Sequence, residues 1–333
     1  MDDNEDNTFF NELFNILSFN TFSMNLIHSD KIINAIKELS QYDLLKGLCH
    51  EQQESLPMPS SVALEEIITL CRAVIFPGYF GNASITKHNL SYHIGVNVER
   101  LHHLLSAQIQ AGLYFSRQQG YAPAPCINPE PLTSQKVAEI KEKGQALSAD
   151  FIASLPAIRE QLATDVEATF LGDPAACSFE EVIYCYPGLR AISNYRIAHR
   201  LLELGVPMIP RMITEMAHSE TGIDIHPGAT IGDYFAIDHG TGVVIGATAV
   251  IGKHVKLYQG VTLGARSFPL DETGHPIKGI PRHPILEDNV IIYSNATILG
   301  RITIGKGATI GGNIWVTEDV APESRILQSK ARK

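Results

Sequence analysis

The chain has 333 residues, 44% of them hydrophobic and 19% charged, enough to bury one sizeable core or two smaller ones. Its 26 Lys and Arg against 36 Asp and Glu leave a formal charge of -10, which repels a phosphate backbone and sets the expectation against nucleic acid as a partner. No apolar run reaches the roughly 18 to 20 residues that span a bilayer, and the first residues are acidic where a signal peptide would be basic, so a cytoplasmic protein without a membrane partner is expected.

In chain order, residues 1–121 place apolar side chains at helical spacing, as in Asp30-Lys-Ile-Ile-Asn-Ala-Ile-Lys-Glu-Leu39 and Leu64-Glu-Glu-Ile-Ile-Thr-Leu-Cys-Arg-Ala-Val-Ile75, and read as an N-terminal helical extension. Residues 122–132 hold four prolines, which remove donors and restrict their predecessors, and read as a linker. A second helical domain is expected over 133–221, with Ser178-Phe-Glu-Glu181 as a capping box. In its segment Leu189 to Leu204 the basic residues Arg190, Arg196 and Arg200 fit a solvated face. The five cysteines, Cys49, Cys71, Cys126, Cys177 and Cys185, are odd in number and scattered, and read as reduced packing thiols.

From residue 222 the texture changes to Gly, Val, Ile and Thr, and a repeat appears. Ile225, Ile231, Ile237, Val243, Ala249, Val255 and Val261 recur every six residues, with a companion set Ile245, Ile251, Leu257 and Leu263. The series resumes at Leu286, Ile292, Ile298, Ile304, Ile310 and Val316, with Val290, Ala296, Ile302, Ala308, Ile314 and Val320 beside it. A period of six suits a chain whose short strands form the three flat faces of a prism, one inward aliphatic per face, with about 18 residues per coil. Leu263 and Leu286 are out of step with that period, so residues 265–284 form an excursion loop. The parallel β-helix spans 222–321, and 322–333 are a tail. Lys and Arg slightly outnumber Asp and Glu in residues 222–333, by 11 to 10, so an anionic ligand is met more readily there.

Within the repeat, His239 lies in Asp-His-Gly-Thr-Gly, where glycines permit tight backbone and close ligand approach. Imidazole has the pKa best suited to take a proton from an attacking hydroxyl at neutral pH. Asp224 precedes it by 15 residues, placing the two on neighbouring coils where a carboxylate can orient the ring; spacing alone leaves equally open that both are plain corner residues. His226 and His254 are 28 residues apart with no Cys nearby, so no metal site is expected. An extended ligand arm lying along a coil needs small residues beside it. Gly264 and Ala265 at the mouth of the loop, Ala296 and Gly312 meet that need, with Lys253, Lys256, Lys278, Arg301 and Lys306 available for phosphates.

The aliphatic-Gly hexads Ile231-Gly232, Ile245-Gly246, Ile251-Gly252 and Ile304-Gly305 resemble those of the hexapeptide-repeat acyltransferases. Four motifs narrow this: Thr221-Gly-Ile-Asp-Ile-His-Pro-Gly-Ala229, Ile237-Asp-His-Gly-Thr-Gly-Val-Val-Ile-Gly246, Tyr258-Gln-Gly-Val-Thr-Leu-Gly264 and Gly279-Ile-Pro-Arg-His-Pro284. Following Asp173-Pro-Ala-Ala176, they resemble the serine O-acetyltransferase family over roughly residues 165 to 320. The resemblance implies an α+β chain, all-helical at first and then a left-handed parallel β-helix. It implies acetyl transfer from acetyl-CoA, as co-substrate and without another cofactor, to L-serine, the first step of cysteine synthesis from serine. It also implies His239 as base with Asp224 behind it, Asp238 on the serine ammonium, Arg282 on the serine carboxylate, and His283 supporting binding or catalysis. Asp173 would contact serine too; the second Asp that follows it in the family's bacterial members is here Cys177. A homotrimer or dimer of trimers with sites between subunits, and inhibition by cysteine, are further implications. Family members dock a C-terminal Ile into the next enzyme of the pathway, cysteine synthase; this chain ends Ser329-Lys-Ala-Arg-Lys333, against that complex. The alternatives are a hexapeptide acyltransferase for another amino-acid or hydroxyl acceptor, and a non-catalytic β-helix scaffold.

Overall fold

The computed structural model describes residues 29–41, 57–81, 84–118, 133–267 and 269–328. The chain divides into two units, one of residues 1–53 with 121–128 and the other of residues 54–120 with 129–333. In the first unit one helix is described, α1 (Ser29–Leu39). The expected linker 122–132, Cys49, Cys126 and the last five residues lie outside the described residues.

The second unit is built from α2 (Ser61–Ile75), α3 (Leu90–Gln118), α4 (Ser134–Gly172), α5 (Phe179–Cys185), α6 (Pro187–Glu203) and α7 (Ile209–Thr221), followed by fourteen short strands. The division thus differs from a helical extension over 1–121: Leu64, Ile67, Leu101, Leu105 and Ile109 are fully buried in the same cluster as Phe151, Leu162 and Ile192. Apolar burial of that kind, not sequence distance, decides what packs as one body. The helix ends are capped as their sequences dictate: Ser60 Oγ accepts from Ala63 N–H, and Thr133 Oγ1 from Lys136 N–H. At α5 the cap is half of the expected box. Ser178 Oγ accepts from Glu181 N–H, but the Glu181 carboxylate turns to Cys177 N–H at 2.7 Å. No helix among the described residues is long and apolar enough to cross a membrane.

The strands are β1 (Asp224–Ile225), β2 (Thr230–Ile231), β3 (Ala236–Asp238), β4 (Val244–Ile245), β5 (Val250–Ile251), β6 (Lys256–Tyr258), β7 (Thr262–Gly264), β8 (Ile285–Leu286), β9 (Ile291–Ile292), β10 (Thr297–Leu299), β11 (Thr303–Ile304), β12 (Thr309–Ile310), β13 (Trp315–Val316) and β14 (Arg325–Ile326). They form three parallel sheets, wound as a left-handed β-helix. The first face is β1-β4-β7-β10-β13, the second β2-β5-β8-β11 and the third β3-β6-β9-β12-β14. On each strand from β1 to β13 the aliphatic of the repeat points inward and is buried. The excursion loop leaves after β7 and returns at β8, as the broken period requires.

One coil departs from the period. Asp224 pairs with Val244 and Ala236 with Lys256, 20 positions on, whereas Val244 pairs with Thr262 and Thr297 with Trp315, 18 on. Two extra residues sit at the corner between β3 and β4. The apparently unbroken series from Ile237 to Val243 therefore changes role: Ile237 is a strand position, Val243 a corner position, and Ile245 takes over on the strand.

Arg196, read from sequence as part of a solvated face, is buried. Its guanidinium is 3% exposed and bidentate on Asp165, Nε to Oδ2 at 2.7 Å and Nη2 to Oδ1 at 2.9 Å. Nη1 and Nη2 also donate to the carbonyls of Ile231 and Gly232, and Asp165 Oδ1 accepts from Phe235 N–H. Burial works against the Arg196 charge, but Asp165 holds its pKa above the ordinary value. Helices α4 and α6 are thus fastened to the corner between the second and third faces. Breaking a buried pair by removing one partner leaves a bare charge inside, at a cost of about 3–5 kcal/mol. Asp165→Asn is expected to lower the thermal midpoint by more than any surface ion-pair variant. The double change Asp165→Leu with Arg196→Met should recover part of that loss, which differential scanning calorimetry of the set measures.

Candidate active site

Four of the sequence-expected residues, Asp238, His239, Arg282 and His283, fall at two corners of the prism. At the corner between the third and first faces, β3 ends on Asp238 and the chain turns through His239 with φ 57, a left-handed conformation that costs a non-glycine residue about 1–3 kcal/mol. The two extra residues of this coil lie here, flanked by Gly240 and Gly242, also at positive φ. The turn carries the imidazole outward: the His239 side chain is 76% exposed.

Asp238, 14% exposed, divides its oxygens. Oδ1 lies 3.8 Å from His239 Nε2, and Oδ2 lies 2.9 Å from Lys256 Nζ on the adjacent β6. Lys256 also donates to the Gly172 carbonyl at the end of α4, at 2.7 Å. The next residue, Asp173, accepts from Tyr186 Oη at 2.6 Å and from Ala175 N–H at 2.8 Å, and these hydrogen bonds hold its carboxyl below the usual range. Helix α6 comes close because residue 188 is Gly; a Cβ there would collide with the Ile237 carbonyl. Thr169, Asp173, Tyr186, Asp238 and Lys256 line the small space that results.

At the corner between the first and second faces, the excursion loop returns through Arg282 and His283. His283 is 7% exposed. Its Nδ1 accepts from Thr248 N–H at 3.1 Å and lies 2.8 Å from Thr248 Oγ1, which itself accepts from the N–H groups of Arg282 and His283. Arg301 Nη1 donates to the Thr248 and His283 carbonyls. The ring lies flat over Gly246, where a Cβ would collide with it. Burial first, then the charges of Arg282, His226 and Arg301, bring the His283 pKa down to about 4, so the ring is neutral at neutral pH. A cavity of about 310 Å³ opens at the foot of the loop, lined by Arg266, Arg282, Leu299, Gly300 and Arg301 among others.

The two corners stand at opposite edges of the first face, which as a six-residue segment of extended chain is roughly 15–20 Å wide. One chain does not bring His239 together with Arg282 and His283. Nor does it join Asp224 to His239. Asp224 belongs to β1 of the same coil, not a neighbouring one, and its carboxylate pairs with Arg211 at 3.8 Å. Glu215, His218 and Asp224 come close enough to share an ion, but Arg211 already supplies a cation to Glu215 and Asp224. The residues expected along the thioester are dispersed. Gly264 and Ala265 adjoin the His283 corner, Gly312 lies on the His239 corner, and Lys306 is at the third corner with its N–H on Glu287. Ala296 is fully buried inside the prism and offers no side chain outward. Lys253 pairs with Asp233, and Lys256 and Arg301 are engaged as described.

Thr248 and Tyr186 had no functional signal in the sequence, Thr248 being a corner residue of an ordinary hexad and Tyr186 a helix boundary; Lys256 reads there only as one of several cations for phosphates, not as a partner of Asp238. Cys177 is exposed, with Sγ 3.6 Å from the Ala175 carbonyl, and Glu181 meets its backbone and not a ligand pocket.

A hexapeptide β-helix with an outward imidazole at one corner and a guanidinium-lined loop at another defines an acyltransferase of the hexapeptide class. No family model matches the chain. A serine acetyltransferase of Synechococcus elongatus is 47% identical over 303 residues, 91% of each chain, and one of Bacillus licheniformis is 48% identical over 168 residues, 50% of this chain and 74% of its own. Among solved structures, serine acetyltransferase isoform 3 of Entamoeba histolytica in complex with cysteine superposes with TM-score 0.65 at 32% identity, covering 85% of this chain and 86% of that one. Serine acetyltransferase 1 of the same organism, with L-cysteine, gives 0.65 at 33%, over 86% and 94%. The chain belongs to the serine acetyltransferase family.

The buried neutral His283 has a pH consequence. Its folded pKa of about 4 lies below the unfolded value of about 6.5, so between these the unfolded state binds the extra proton. The contribution is full above about pH 6.5 and is lost progressively as pH falls toward 4. His283→Gln is expected to flatten the fall of thermal midpoint with acidification in that window, read by thermal melts across pH.

Proposed function

We propose that the protein transfers the acetyl group of acetyl-CoA to the hydroxyl of L-serine, supplying O-acetylserine for cysteine synthesis. The observation that carries this is the exposed His239 imidazole beside the Asp238 carboxylate, in a chain 47% identical to a serine acetyltransferase over 303 residues. His239 Nε2 takes the hydroxyl proton as the serine oxygen adds to the thioester carbonyl; the imidazolium then returns that proton to the departing CoA sulfur as the C–S bond breaks. No acyl-enzyme is formed. Asp238 attracts the serine ammonium, and Arg282 binds the carboxylate with a bidentate fork.

Because Arg282 and His283 lie at the other edge of the first face from His239, and Asp224 gives its carboxylate to Arg211, the complete site is read as forming between copies. The His239 corner of one subunit faces the loop corner of the next in a trimer, with Asp224 there orienting the imidazole. Arg266, Arg282 and Arg301 around the loop cavity suit the anionic groups of CoA and of serine. Cysteine, bound in both Entamoeba structures, differs from serine by sulfur for oxygen and is read as a competitor for the acceptor site. Serine binding proceeds with one carboxylate fewer at Cys177.

His239→Ala is expected to lower kcat by about 100-fold or more, the scale of general-base catalysis, with little change in fold. A scaffold would be indifferent to that change, and a preference for homoserine or a sugar hydroxyl over serine in a thiol-release assay would overturn the acceptor assignment. Coexpressed His239→Ala and Arg282→Ala chains, each inactive alone, are expected to regain activity as mixed oligomers. Absence of complementation would count against a shared site.

A further inference from the structure

Lys256, read from the sequence only as one of several cations for phosphates, touches both halves of the His239 corner. Its ammonium is held by Asp238 Oδ2 at 2.9 Å and by the Gly172 carbonyl at 2.7 Å, and it lies 4.5 Å from the centre of the Tyr258 ring. Tyr258 in turn stacks on Tyr293, with ring centres 4.9 Å apart. The lysine therefore spans from the end of α4, one residue before Asp173, to the carboxylate beside the base. It is 16% exposed, against 76% for His239.

We propose that Lys256 is a positioning residue of the acceptor site, which by holding Oδ2 of Asp238 leaves Oδ1 alone to face His239 and the incoming ammonium and fixes how much negative charge both feel. This inference rests on His239 acting as the base and on Asp238 as the ammonium partner. An unrestrained carboxylate would rotate and offer either oxygen, and its full charge would favour the imidazolium over the neutral base. With the lysine in place the carboxylate is partly neutralised. The ammonium sits on the side where the helical domain meets the coil, leaving the outward side of Asp238 to substrate. The cation is stable there: burial works against it, but its bonds to Tyr258 and Asp238 keep its pKa above the ordinary value.

Of the groups around this corner, Asp173 from the α4–α5 turn and Asp238 bear directly on His239, while Tyr186 and Glu181 act on the Asp173–Tyr186 pair, and none of these carries a positive charge. Removing the cation therefore changes the field at the imidazole in one direction. Both the loss of the positive charge and the unmasking of Asp238 favour the protonated ring.

The test is the pH dependence of kcat/KM for serine in the full-length protein and in three variants. Lys256→Met and Lys256→Gln are expected to move the acidic limb to higher pH by about one unit, while Lys256→Arg, which keeps the charge, leaves it in place. Lys256→Gln retains a donor for the Gly172 carbonyl, so it separates charge from tethering. A uniform loss of rate at every pH in Lys256→Gln, or an unmoved limb, would overturn the proposal and leave Lys256 as a structural tether. Failure of the unaltered protein to acetylate serine would instead overturn the function itself. Thermal melts of all four proteins identify any variant whose rate loss reflects unfolding; a folded Lys256→Gln protein suffices to decide.

Discussion

The arrangement of the catalytic unit depends on one buried guanidinium. Arg196 directs its donors at a carboxylate on α4 and at two carbonyls of the first coil, so a single side chain of α6 holds a helix and the prism at once. A charge without water requires such saturation, because each unmet donor would cost the desolvation of an ion. The fixed relation between α4 and the coil is what sets Asp173, Tyr186 and the Gly172 carbonyl beside Asp238. Hydrophobic burial joins the same elements, but it has no direction; the forked hydrogen bonds supply the direction.

The prism was legible in the sequence because its rule is strict. One inward aliphatic per face leaves little freedom, and the inward position of every strand from Ile225 to Val316 carries Ile, Leu or Val. Its one exception was hidden by coincidence. Two extra residues between β3 and β4 let the corner series pass for the strand series, since Ile237 and Val243 are both six-spaced and both apolar. The helical part was less legible. Arginines at helical spacing look alike whether they meet water or a carboxylate 31 residues earlier, and only tertiary packing decides between them.

The candidate site was legible by residue type but not by placement. His239, Asp238, Arg282 and His283 stand where a reactive group can be reached or supported, yet they occupy two corners of one prism, and linear spacing carries no information about which corners meet. Asp224 illustrates the limit: a spacing of 15 residues brought it near the base on paper, while the structure gives its carboxylate to Arg211. Thr248 escaped notice and Lys256 was legible only as one cation among several for phosphates, because their contacts with His283 and Asp238 arise in contexts that hexad composition does not distinguish.

The hydrogen bond from Thr248 N–H to His283 Nδ1 has a consequence for the tautomer of that ring. A backbone donor cannot be rotated away, so that nitrogen keeps its lone pair turned inward and the ring hydrogen is confined to Nε2. His283 can offer that hydrogen to an oxygen but has no free lone pair with which to remove one. His239, bare and outward, is under no such restriction. Identical side chains at neighbouring corners are thereby held differently, one fixed in a single tautomer by the backbone and the other facing solvent.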